Sequence, residues 1–122
     1  MPYIKNDIRD YIWQNGDYDV QRCHNPGDLN FLLTKIVVTN KDLKTLETTL
    51  FKVVMEYHTK NSLCYQVCND VVGAIIGCSL ELKRRKRLSD DEKDVLVHVC
   101  SKYYDETVGP NEDLKISENG DV

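Results

Sequence analysis

Two groups of residues in this 122-residue chain have side chains that could do chemistry. Cys64 and Cys68 stand at i, i+4 on one helix, a spacing that would place two thiolates on one metal, and Cys23, His24, His58, Cys78, His98 and Cys100 could add ligands. No pair forms the C-x-x-C knuckle usual in zinc sites. Cysteines on the apolar face of a helix pack as small apolar residues more often than they ligate. A cysteine nucleophile needs a histidine beside it in space, and no spacing here supplies one. No metal, cofactor or catalytic residue is therefore assigned, and the expectation is a protein that is not an enzyme.

The second group is a run of cations, Lys83, Arg84, Arg85, Lys86 and Arg87, in a chain with a formal charge of -4 and an isoelectric point near 5.3. Guanidinium forks match phosphate and carboxylate. The run could be a solvated helix end paired with Asp90, Asp91 and the acidic tail, a site for a phosphorylated ligand, or a contact for an acidic protein. Five consecutive cations cover the whole circumference of a helix, so they cannot all face one ligand. Overall acidity argues against general nucleic-acid binding, which needs many cations on one face.

The element that positions these groups is residues 63–87, read as a long central helix. Cys64, Cys68, Val71, Val72, Ile75, Ile76, Ser79 and Leu82 recur at spacings of three and four and make one continuous face. The cationic end lies where the helix dipole is negative. Gly73 and Gly77 sit inside this helix four residues apart, a notch for a close neighbour. Each mid-helix glycine costs roughly 1 kcal/mol against alanine, so the pair marks tight packing by a helix of the same chain or by a second subunit. Gly73 and Gly77 are the candidate oligomer contact.

Three further helices are predicted. Asn25-Pro26-Gly27-Asp28 is strong punctuation, with Asp28 as N-cap; Leu29, Leu32, Leu33, Ile36 and Val37 then follow the core-facing pattern, and the helix should stop near Asn40. Residues 41–58 repeat it with Leu43, Leu46, Leu50, Val53, Val54 and Tyr57. The short polar link 59–62 should make this helix and the central one antiparallel neighbours. Ser89-Asp90-Asp91-Glu92 is a capping box opening a last helix with Val95, Leu96, Val99, Cys100, Tyr103 and Tyr104 inward. There is no convincing strand. Residues 1–25 form an aromatic arm or short helix ended by Asn15-Gly16-Asp17; if Trp13 is not covered by the fold, it is a partner contact. Residues 26–105 form the helical domain and 106–122 a polar tail. No run approaches the roughly 20 apolar residues of a membrane helix, and no signal peptide opens the chain, so a soluble cytoplasmic protein is expected.

The opening Met1-Pro2-Tyr3-Ile4-Lys5, the phrase Asp28-Leu29-Asn30-Phe31-Leu32-Leu33-Thr34-Lys35-Ile36, residues 65–85 with paired Arg84 and Arg85, and the ending Glu118-Asn119-Gly120-Asp121-Val122 resemble a family of short uncharacterised proteins of bacteriophages, prophages and bacteria. The resemblance covers about half the chain. It implies a small helical fold, a phage or bacterial origin, action inside a bacterial host, and a tail whose residues 116–122 dock on the helices; it brings no catalytic residues. The sequence expectation is thus an all-α bundle of about four helices (29–37, 43–57, 63–82 and 95–104) serving as a non-enzymatic accessory protein. Its first reading is an interaction module that modulates a host protein through Trp13 and the cationic end. The second is an oligomeric sponge for a phosphorylated or cyclic nucleotide immune signal, with Arg84, Arg85 and Arg87 as phosphate forks and Tyr103 or Tyr104 for base stacking.

Overall fold

Asn15 and Gly16 hold φ angles of 54° and 88°, the pair of left-handed residues that a type I′ turn demands. They close a two-residue hairpin, β1 Trp13–Gln14 and β2 Asp17–Tyr18, in which Trp13 faces Tyr18. The two rings stack with centroids 5.5 Å apart and planes 3° from parallel. This hairpin corrects the expectation of no strand. The signal was present: Asn-Gly between aromatic residues is the strongest short-range hairpin pattern. It is preceded by helix α1, Asn6–Ile12, and followed by a 3-10 turn, Val20–Arg22.

The computed structural model describes residues 6–61 and 65–107 of the chain; the expectations placed on Tyr3, Ile4, Leu63, Cys64 and the ending 108–122 lie outside them. Four long helices carry the rest: α2 Pro26–Thr39, α3 Leu43–Lys60, α4 Tyr65–Arg84 and α5 Asp90–Thr107. The all-α bundle expected from the periodicity is what the chain forms.

Local chemistry explains the boundaries. Helix α2 begins three residues earlier than expected, because Asn25 and not Asp28 is its N-cap. Asn25 Oδ1 accepts from the Asp28 N–H at 2.8 Å, and the Asp28 carboxylate reaches back to accept from the His24 N–H at 2.9 Å. Pro26 then sits in the first turn, where its missing N–H costs nothing. Asp42 caps α3 through Thr45 at 3.1 Å. The expected capping box of α5 is formed, Ser89 Oγ accepting from the Glu92 N–H at 3.1 Å and Glu92 accepting from the Ser89 N–H at 3.0 Å.

The central helix stops at Arg84 rather than Arg87. Lys86 adopts φ 58°, its N–H donates to the Lys83 carbonyl at 3.0 Å and the Arg87 N–H to the Leu82 carbonyl at 2.9 Å. These two bonds form a Schellman motif with lysine at the position glycine usually takes. The cationic run therefore leaves the helix and does not encircle it.

Leu29, Leu32, Leu33 and Ile36 of α2, Leu46, Leu50 and Val53 of α3, Val71, Ile75, Cys78 and Leu82 of α4, and Leu96, Val99 and Tyr103 of α5 fill one core. Full burial of each such leucine is worth about 1.5–3 kcal/mol. Ile12, Val20 and Cys23 fasten the N-terminal segment to it. Helix α4 packs chiefly against α2 and α5, and α3 chiefly against α5; α3 and α4 are in contact, as the short link between them leads one to expect, but over a smaller face. His98 beside Glu47 at 3.4 Å and Lys102 Nζ 4.4 Å from the Phe51 ring centroid tie α5 to α3 at the surface.

Candidate binding site

The expected ligand residues do not converge. Tyr103 is 0% exposed, and its hydroxyl lies 2.8 Å from His58 Nδ1 in the core, the rings edge to face. Burial pushes the Tyr103 phenol up and His58 down from their ordinary values. No face of Tyr103 is left for a base, so its assignment as a ligand residue is corrected; Tyr104 beside it is half-buried.

Arg84 and Arg85 are engaged locally. Their guanidinium groups grip the Glu81 carboxylate at 2.7 and 2.6 Å, and a further Arg84 bond, from Nε at 3.2 Å, completes a fork. Glu81 is only 3% exposed, and the hydrogen bond from Arg84, with that from Arg85, holds its carboxyl far below the usual range. A buried carboxylate needs such partners, so these arginines act first on the fold. Among the described residues both arginines pair with Glu81 rather than with the expected Asp90 or Asp91. Lys83 and Arg87 are exposed and make no ion pair among the described residues.

The cysteines among the described residues are packing residues. Cys23, Cys68 and Cys78 are buried and Cys100 half-buried, all as free thiols. Burial drives Cys23 up to about 12, with Asp28 adding to it, and Cys78 up to about 11, so both stay protonated and unreactive near neutrality.

Gly77 and Gly73 differ. A Cβ on Gly77 would stand 2.5 Å from Asn30 Nδ2, so its notch is taken within the chain by α2. A Cβ on Gly73 meets nothing within 4 Å.

The groups that do converge lie at the N-terminal arm. Arg9 and Asp10 of α1, Trp13 and Gln14 of β1, Asn15 of the turn, and Phe31 and Lys35 of α2 line a cleft of about 520 Å³. Arg9 Cζ and Lys35 Nζ stand 5.8 and 5.9 Å from the Phe31 ring centroid. Arg22 holds the arm in place, donating to the Tyr11 carbonyl at 3.0 Å, and Lys60 anchors the 3-10 turn through the Gln21 carbonyl at 3.1 Å. Arg9 Nε is buried without a hydrogen-bond partner among the described residues. An unmet buried donor costs about 1–3 kcal/mol, whereas a cation over a ring returns about 0.5–1 kcal/mol. Internal stability does not account for an arginine at this position.

Sequence reasoning singled out Trp13 and missed Arg9, Phe31 and Lys35. The Phe31–Lys35 pair at i, i+4 was legible as one helix face; the meeting with Arg9 depends on the path of the arm. No helix of the described residues is long and apolar enough to cross a membrane. No curated protein and no solved structure matches the chain. A family model does match residues 1–96, from the arm through α4 into α5, and by that match the chain belongs to the family described as a domain of unknown function, DUF6899.

Proposed function

We propose that the chain is a non-enzymatic accessory protein that acts by binding, engaging an acidic segment of a host protein in the cleft of Arg9, Trp13, Phe31 and Lys35. The phage origin suggested by the MPYI opening and the ENGDV ending, and action in the bacterial cytoplasm, belong to this proposal. The observation that carries it is the convergence of two cations over one aromatic ring, with Arg9 Nε left unsatisfied. A carboxylate suits the cations and an apolar side chain suits Phe31 and Trp13, the combination that interface hot spots use. Lys83 and Arg87 would extend the electrostatic attraction, Arg87 lying beside the C-terminal end of the helix that carries Lys35.

The nucleotide sponge is weaker on the same grounds. It relied on Arg84, Arg85 and Arg87 with Tyr103 or Tyr104, and of these Tyr103 is enclosed while Arg84 and Arg85 hold Glu81. The test compares wild type with Arg9→Met/Lys35→Met, which removes both charges and keeps the packing on Phe31. Immobilised wild type is expected to retain a bacterial protein that the variant loses, and cyclic and linear nucleotides are expected to leave the melting temperature unchanged. A nucleotide-dependent rise in melting temperature that the variant lacks would replace the protein partner with a nucleotide.

A further inference from the structure

Three of the most exposed large apolar side chains lie together on the side of the bundle made by α4 and α5: Ile76 at 51%, Leu80 at 62% and Val97 at 58%. Between them runs an apolar groove of about 230 Å³, floored by Ile75, Ser79, Leu96 and Cys100. On α4 the exposed positions Asn69, Gly73, Ile76, Leu80 and Lys83 alternate spacings of four and three, the seam along which helices pair. Gly73 belongs to this stripe, and a Cβ there would meet nothing within 4 Å among the described residues.

We propose that this face pairs with a second copy of the chain in a two-fold dimer, independently of the cleft described above. A two-fold interface needs one patch that carries both projection and recess, and here Ile76 and Leu80 project beside the groove that would receive the copies' equivalents. Charge selects the arrangement. The α4 end of the face carries exposed Lys83 and Arg87, and the adjoining start of α5 carries exposed Asp90 and Asp94. A two-fold that lays α4 of one copy over α5 of the other sets these cations against those carboxylates around the apolar centre. Stacking α4 on α4 in parallel would oppose like charges, which costs affinity.

Sedimentation equilibrium of the purified full chain tests this, with circular dichroism as the control for folding. Wild type at about 100 µM is expected at twice the mass of the 14.1 kDa chain. Leu80→Glu and Val97→Glu, on different helices and both exposed, are each expected to keep the helical spectrum and weaken the dimer by at least about 30-fold, as for loss of a central anchor. A wild-type monomer at that concentration would overturn the proposal, as would a dimer that survives either substitution.

Discussion

Half-buried Arg9 and buried His58 show two ways in which a polar side chain can sit in this bundle. Arg9 lies against Phe31 with Nε unmet; replacing it with methionine keeps the hydrocarbon and deletes the orphaned donor. Arg9→Met is therefore expected to leave the protein at least as stable as wild type, by up to about 1 kcal/mol, when measured by urea unfolding. A loss of more than that would make Arg9 a structural residue. His58 is satisfied by Tyr103 and has its pKa lowered by burial. Because the folded protein resists protonation there, the unfolded chain binds more protons below its ordinary pKa of about 6.5. Stability should hold above that pH and fall as pH drops through 6.5 toward the folded pKa. His58→Gln, which keeps a polar group for Tyr103 and does not titrate, should flatten the decline between pH 7 and 5 in a series of urea midpoints. The Glu81 carboxyl, held low by Arg84 and Arg85, adds a second loss that begins only below its ordinary value near 4.5.

At the scale of elements, α4 places two glycines four residues apart in different surroundings. Gly73→Ala gains helix propensity into open space and should stabilise the fold by roughly 0.5–1 kcal/mol. Gly77→Ala gains the same but must displace the Asn30 carboxamide, 2.5 Å from the added carbon, so it should stabilise less than Gly73→Ala. Chemical denaturation of the two variants side by side checks the difference, and equal effects would deny Asn30 its place in the notch. The same helix shows what a linear reading can reach. The periodicity of Val71, Ile75, Cys78 and Leu82 announced the buried face, and Ser89 with Glu92 announced the start of α5, because these are relations within one or two turns. The end at Arg84 was hidden, since lysine at 86 takes a conformation that composition assigns to glycine. The pairing of α4 with α2 and α5, the enclosure of Tyr103 and the meeting of Arg9 with Phe31 are relations between distant segments, and no local pattern carries them. Glu81 illustrates the boundary: it lies three and four residues before Arg84 and Arg85, so the pairing was visible, but its burial was not.

The surface of the whole molecule is divided by chemistry. Cations gather over an aromatic floor at the N-terminal arm, an apolar face runs along α4 and α5, and Lys83 and Arg87 mark one end. A dimer through the α4–α5 face would leave both clefts available, so two partner segments could be held at once and avidity would raise apparent affinity without new contacts. If the cleft binds a protein, quantitative mass spectrometry of what immobilised wild type and Arg9→Met/Lys35→Met retain from a bacterial lysate, with matched circular dichroism for both, will separate the two. A protein with an acidic segment is expected to be enriched at least about 10-fold on wild type, the factor that corresponds to about 1.4 kcal/mol, and lost on the variant. Equal retention on the two, with both folded, would contradict it.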